Sequence, residues 1–316
     1  MFPVRGLDVI AVGGNAIIPT SGGGTIEAQR KLTATSMHQV ADLIVAGRKV
    51  IITHGNGPIV GNIVERNEAV KERIPPMPLD VCGADSQGGI GYMIQQSLRN
   101  ELSARGVHRE VVSIVSQVLV SEADEAFEHP TKPIGLFYGK SEAEALERER
   151  GYRMIMDANR GYRRVVPSPR PLEIVEADTI SKLLKLGTVV IAVGGGGVPV
   201  VRNGDRLVGV EAVIDKDRAA AVLGKMVQAE RLVILTSVSE VYVHFGSPGQ
   251  KALRKVRLGE IKKHLEAGEF PPGSMGPKIE AAIDFLESGG RRVIISDAAM
   301  LLDACKGLAG THILPD

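Results

Sequence analysis

Hydrophobic positions along the chain fall into two rhythms, short unbroken apolar runs and stripes at helical spacing. Asp8-Val-Ile-Ala-Val12 is such a run, closed by Gly13-Gly14, and predicts a buried strand. Over 26–46, Leu32, Val40, Ile44 and Val45 recur near one face and Gly47 follows as a stop, which predicts an amphipathic helix. Further apolar runs predict strands at 49–53, 111–115, 188–193, 232–235 and 292–295. Helices are expected from the segment after Pro58 to Arg73, and at 83–105, 177–185, 217–226, 258–267 and 277–288. Residues 198–208 predict a hairpin turning at Asn203-Gly204. Strands that alternate with helices define an α/β chain whose mostly parallel sheet is covered on both faces. Between 121 and 170 the rhythm fails. A charge-rich run at 141–150, several prolines and little periodicity predict a partly irregular excursion, or a protruding subdomain, rather than a linker.

Composition narrows the function. The 316 residues suit two domain-sized units or one large α/β unit. Lys plus Arg is 38 and Asp plus Glu 37, a net charge of +1, which argues against a dedicated nucleic-acid or anionic-membrane surface. Two cysteines, Cys82 and Cys305, exclude a disulfide framework or a multi-cysteine zinc site and suit a reducing cytosol. The first residues lack the pattern of a secretory signal, and the most apolar stretch, 189–201, is broken by four glycines and too short to span a bilayer. A soluble cytoplasmic protein with no nucleic-acid or membrane partner is expected.

Glycine changes the picture most. There are 37, against roughly 22 at average usage. Three predicted strand ends open into glycine loops: Gly13-Gly14-Asn15, His54-Gly55-Asn56-Gly57 and the four glycines at 194–197. Such loops let backbone N–H groups approach an anion, and a following helix adds its positive dipole end. One pair of glycines at a strand end is also an ordinary turn. Three at like positions favour a converging anion site beyond the carboxyl ends of the sheet. Neither the P-loop pattern nor Gly-x-Gly-x-x-Gly after the first strand occurs, so a P-loop enzyme and a dinucleotide-dependent oxidoreductase are both poorly supported.

The motifs together are more specific. Val9-Ile-Ala-Val-Gly-Gly-Asn-Ala16, Thr53-His-Gly-Asn-Gly-Pro58, Pro130-Thr-Lys-Pro-Ile-Gly135, Gly194-Gly-Gly-Gly-Val-Pro-Val200, Glu211-Ala-Val-Ile-Asp-Lys-Asp217 and Gly273-Ser-Met-Gly-Pro-Lys278 occur in that order. This set resembles the carbamate kinases of the amino-acid kinase superfamily, collinearly over residues 8–313. The glycine motifs are shared with acetylglutamate and uridylate kinases; the three lysine-bearing motifs are more specific to carbamate kinases. The resemblance implies a three-layer αβα sandwich in two lobes, homodimeric. Residues 1–205, with the excursion at 121–170, would hold carbamate or carbamoyl phosphate, and residues 206–316 would hold ATP or ADP with Mg²⁺. The implied reaction is reversible phosphoryl transfer between ATP and carbamate.

Phosphoryl transfer needs positioning and charge neutralisation more than covalent help. Bringing two anions together requires fixed cations, and Lys132, Lys216 and Lys278 sit in rigid contexts. By resemblance, Lys132 and Lys216 clamp the phosphoryl group in flight, Lys278 contacts nucleotide phosphates and the transition state, and Asp217 orients the lysines. Asp217 is also placed to be a helix N-cap. The acceptor side is expected to use Gly13, Gly14, Asn15, Gly55, Asn56, Gly57, Gly195 and Gly196. The nucleotide side is expected to use Ser237, Tyr242, Met275, Gly276, Pro277 and Lys278, with Mg²⁺ on the phosphates and no protein metal site. Tyr242 reads equally as a base-packing ring or a core tyrosine. His54 is tempting as a general base, but carbamate is already an anionic nucleophile, so a structural role is favoured.

Two departures from relatives bear on this reading. Many members of the superfamily carry a lysine in the first strand, and Asp8-Val-Ile-Ala-Val12 has none, which fits carbamate kinases and counts against the other relatives. After the nucleotide-side strand the family usually reads Thr-Asp-Val-Asp/Glu, whereas this chain reads Thr236-Ser-Val-Ser239. A divergent amino-acid kinase with another small carboxylate acceptor or phosphoryl donor, and a non-catalytic nucleotide or metabolite sensor, are the alternatives. The three lysines and Asp217 oppose the sensor reading.

Overall fold

The strand Leu7–Val12 occupies the centre of an eight-stranded sheet because both of its faces are apolar. Val9 and Ala11 enter one core, Ile10 and Val12 the other. The computed structural model describes residues 6–17, 24–157 and 161–316. Across the sheet the strands run Lys255–Arg257, Thr311–Leu314, Arg292–Asp297, Arg231–Thr236, Leu7–Val12, Lys49–His54, Val189–Ile191 and Val111–Ser113. All neighbours are parallel except Arg292–Asp297 with Thr311–Leu314. The helices Ala177–Lys185, Lys216–Met226 and Gly276–Glu287 bury residues in one core, and Ile26–Val45, Leu79–Ala104 and Leu301–Lys306 in the other. The result is the expected helix–sheet–helix sandwich.

Several sequence expectations are corrected. Val45 is exposed at the helix end; Met37, Val40, Ala41 and Ile44 form the buried stripe instead. The helix expected from Gly83 starts at Leu79, whose side chain is buried beyond Pro78. Gly91 within it replaces a side chain that would collide with Ser113, so the helix lies close against the edge strand. The hairpin pairs Asn203 with Arg206, so its two turn residues are Gly204 and Asp205. Gly204 takes φ +59°, which suits a glycine at that corner.

The segment 121–170 is more regular than its sequence suggests. It contains a three-stranded antiparallel sheet, Lys132–Tyr138, Tyr162–Val166 and Arg153–Met156, and the charged run is the helix Lys140–Arg150. Arg153–Met156 is short and largely exposed, and the other two strands are mostly half-buried, so no apolar alternation marks the sheet. Ile134 and Val166 join Val60, Leu79, Cys82 and Val213 in a small core of their own. Glu65 accepts a hydrogen bond from Tyr138, and Glu68 pairs with Arg150 at 2.8 Å, which fixes the unit to the helix Ile59–Ala69. Among the described residues no helix is long and apolar enough to cross a membrane.

Candidate active site

Three neighbouring central strands end in the three glycine loops, and the loops touch. A side chain at Gly14 would meet the backbone of Gly57, and one at Gly55 would come within 3.1 Å of the Lys216 stem. Close backbone approach is therefore what these glycines supply.

The charged centre is built by two helix starts. Asp215 caps the helix Lys216–Met226, accepting from the N–H of Asp217 at 2.9 Å and of Arg218 at 3.4 Å. The capping role considered for Asp217 thus belongs to Asp215, which leaves both oxygens of Asp217 for lysines. Asp217 is buried, with Oδ1 2.5 Å from Lys216 Nζ and Oδ2 3.0 Å from Lys278 Nζ. Lys278 lies in the first turn of the helix Gly276–Glu287, held also by the Ser274 carbonyl at 3.3 Å. Lys132, carried in from the three-stranded sheet, pairs with Asp215 Oδ2 at 2.8 Å. Three lysines against two aspartates leave one positive charge uncompensated, at two helix N-termini that also favour anions.

The environment sets each proton. Burial would push the Asp215 carboxyl up, but Lys132, with Lys216 and Lys278 behind it, holds it well below the usual carboxylate range. Burial pulls Lys216 down, partly offset by Asp217. Burial works against the charge on Lys278, but Asp217 together with Asp215 outweighs it and raises its pKa. His54 is buried, and its Nδ1 lies 3.1 Å from the Gly55 carbonyl, which can only accept, so Nδ1 carries the proton. Burial, aided by nearby Lys216, lowers its pKa to about 4. It is a neutral packing group against Gly194 and unsuited to proton transfer here.

Two chambers open from this centre. One, of about 450 Å³, is bounded by Asn56, Gly57, Lys132, Phe137, Arg163 and Gly195 among others. The second, of about 470 Å³, is bounded by Gly13, Ser36, Gln39, Ser237 and Asp297. Gly14, Lys216 and Lys278 border both. Gly55, Asp215, Asp217 and Pro277 border the first. Gly196, Tyr242, Met275 and Gly276 border neither: Gly196 backs onto Ile214, Met275 packs on the core, and Tyr242 lies beside Phe245. The side chain of Asn15 lies outside the described residues. A larger cavity, about 790 Å³, lies around Gly224, Glu230 and Gly290 near the amino ends of the strands, away from the lysine centre.

Several residues on these walls were not expected from the sequence, among them Gln39 and Asp297 of the second chamber and three beside the lysines. Asp215 stood inside a recognised motif but was not assigned a role. Arg163 and Phe137 come from the excursion; the guanidinium sits 5.1 Å from the Phe137 ring centroid, pairs with Asp157 at 3.0 Å, and has a buried Nε with no hydrogen-bond partner among the described residues. Nothing periodic in the sequence marks either.

A family model described as the amino acid kinase family matches residues 7–297. The chain is 47% identical over 309 residues to a carbamate kinase of Pyrococcus horikoshii, covering 97% of this chain and 98% of that protein. It is 48% identical over 310 residues to a carbamate kinase of Clostridium perfringens, covering 97% and 99%. A solved carbamate kinase from Giardia lamblia bound to AMP-PNP superposes with a TM-score of 0.92 at 42% identity, covering 98% of each chain.

Proposed function

The chain belongs to the carbamate kinases of the amino acid kinase family, and from that premise we infer how its cleft works. The reaction is reversible phosphoryl transfer between ATP and carbamate, giving ADP and carbamoyl phosphate. The observation that carries this reading is the convergence of Lys132, Lys216 and Lys278 on two aspartates at the junction of two chambers.

Acceptor carbamate enters the chamber of Asn56, Gly57 and Gly195, with Lys132 at its wall and the Arg163 guanidinium as a further cation. The nucleotide approaches from the Ser237 side, through a chamber that Gly13, Ser36 and Gln39 of the amino-terminal part also line. Its terminal phosphate reaches Lys216 and Lys278. Lys132 and Lys216 follow the phosphoryl group between oxygens, and Asp217 keeps two of the ammonium groups aimed at it. Such electrostatic preorganisation costs no rearrangement during transfer. Carbamate supplies an oxygen anion, so the neutral His54 is not required as a base.

Mg²⁺ fits this site as a passenger on the nucleotide. Asp215 and Asp217 are already engaged by lysines, so little carboxylate is left for a cation, and Mg²⁺ readily keeps water and phosphate oxygens as ligands. Bound there, it neutralises charge on the phosphates. Ser237 and Ser239 bring no charge to this side, while Asp297 of the adjacent strand borders the same chamber as Ser237 and supplies a carboxylate. The two free thiols suit a cytoplasmic setting.

A coupled assay with ADP, carbamoyl phosphate and Mg²⁺ should show ATP formation, and the reverse assay should show ADP formation that depends on carbamate. Absence of turnover in both directions with folded protein would overturn the reading.

We further propose a homodimer through the helix Leu79–Ala104. Val81, Gly88, Gly89 and Tyr92 are exposed along one face of it, a strip with a flat glycine step and a single carboxylate, Asp85. Sedimentation should give the dimer mass, and Tyr92→Glu should shift it toward monomer. A monomer mass for the wild-type chain at working concentration would remove this assignment.

A further inference from the structure

Val193 has φ +56° and ψ +34°, the left-handed region, although it is β-branched and completely buried. Such a conformation is uncommon for any side chain and least favourable for one branched at Cβ. It persists only where the surroundings over-determine it. After Gly194, which does not share it, Gly195, Gly196 and Gly197 again take positive φ, of +66°, +94° and +86°. The loop closes on itself through Gly196 N–H to the Val193 carbonyl at 3.2 Å and Gly197 N–H to the Gly194 carbonyl at 2.9 Å.

A buried polar relay holds its first residue. The Val193 N–H donates to Ser116 Oγ at 2.9 Å. That hydroxyl donates in turn to the Ile114 carbonyl at 3.0 Å, so its lone pairs are left facing Val193. Ser116 is itself clamped by one amide: its N–H donates to Gln87 Oε1 at 2.9 Å, and its carbonyl accepts from Gln87 Nε2 at 3.0 Å. The Ser116 carbonyl also accepts from Val198 N–H at 2.8 Å, just beyond the loop. Gln87 and Ser116 are both buried. On the other side of the loop, His54 and the Gln87 stem fill the place where a side chain at Gly194 would stand.

Apart from Gly195, no member of this relay borders either chamber. Its polar groups satisfy one another, an arrangement that rigidifies and specifies a conformation. What it holds, however, faces the chemistry. Gly195 forms part of the chamber wall, and a side chain there would meet the Asn56 amide at 2.8 Å. The loop conformation therefore decides where both Gly195 and Asn56 present themselves.

We infer that Gln87 and Ser116 are positioning residues for phosphoryl transfer, holding Val193 left-handed so that the loop 193–197 sets the acceptor-side wall. The inference rests on the reading that the 450 Å³ chamber takes carbamate or carbamoyl phosphate. Neither residue touches substrate. Their removal should weaken acceptor recognition and leave nucleotide recognition alone.

Steady-state kinetics of the full chain with ADP and carbamoyl phosphate provide the test. Ser116→Ala should raise KM for carbamoyl phosphate about tenfold, the scale set by strain at such a residue, while KM for ADP stays within about twofold. Ser116→Thr keeps the hydroxyl and should restore the wild-type value. Gln87→Leu should reproduce the selective rise, and it covers the case in which Ser116→Ala folds poorly. The decisive variant is Val193→Gly placed in the Ser116→Ala background. Glycine adopts a positive φ without strain, so it should recover much of the lost acceptor affinity. A merely structural role predicts instead that Val193→Gly compounds the loss, or that both KM values move together with the melting temperature. Either result, or an unchanged KM for carbamoyl phosphate in Ser116→Ala and Gln87→Leu, would overturn the inference. Wild-type turnover tests the functional reading separately, and the ratios among variants test the relay.

Discussion

Lys216→Ala is expected to reduce turnover in both directions by about 100- to 1,000-fold, the loss seen when one preorganised charge-stabilising donor is removed. Lys216 borders both chambers, and its ammonium is 2.5 Å from Asp217, so it stands where the phosphoryl group must pass. Stability should change little. Burial already works against the charged form of Lys216, and Asp217 keeps its contact with Lys278 at 3.0 Å when Lys216 is removed. No isolated charge is left behind, so the melting temperature should stay within about 3 °C. Arginine should not rescue the rate, because the lysine stem runs 3.1 Å from where a side chain at Gly55 would begin, and a planar guanidinium needs more width. Near-normal kcat in Lys216→Ala, measured with both substrates saturating, would remove this residue from the mechanism.

Much of this centre was legible before any coordinates. Apolar runs ending in glycine located the central strands and their loops, because a strand buried on both faces must be continuously apolar. The lysines stood out through the rigid motifs around them. What stayed hidden depends on contacts between residues far apart in the chain. Lys132 and Asp215 are 83 residues apart, and only the fold shows that one carries the other's charge partner. The helix cap illustrates the same limit locally: Asp215 and Asp217 are chemically alike two positions apart, and geometry alone gives one the backbone and the other the lysines. In 121–170, short and mostly half-buried strands carry no period, so both the small sheet and Arg163 were invisible. Gln87 and Ser116 gave no signal either. A buried glutamine facing a peptide group looks, in sequence, like any polar residue on a helix.

The largest effect on stability is expected at the opposite end of the sheet, from Asp8→Ala. Asp8 is fully buried at the start of the central strand and is held by two arginines. Arg48 donates through Nε at 2.9 Å and through Nη2, while Arg231 donates through Nε at 2.8 Å and Nη2 at 2.5 Å. Glu230 approaches Arg48 only at 3.5 Å and is shared with Arg291 at 3.6 Å, so it cannot replace the lost carboxylate. Alanine would leave two partly buried guanidinium groups facing one another without an anion between them. Breaking a buried ion pair from one side costs about 3–5 kcal/mol, far more than such a pair is worth in net stability. A chain of this size should then melt on the order of 10 °C lower. The contrast with Lys216 is instructive: there the remaining partner keeps a close counter-charge, and here Arg231 loses its ion-pair partner and Arg48 keeps only the more distant Glu230. Activity at a temperature where the variant is folded should be near normal, since Asp8 lies at the strand ends remote from the lysines. Urea unfolding of wild type and Asp8→Ala would settle the matter, and a loss below about 1 kcal/mol, the range of an exposed pair, would show that the cluster is solvated rather than buried.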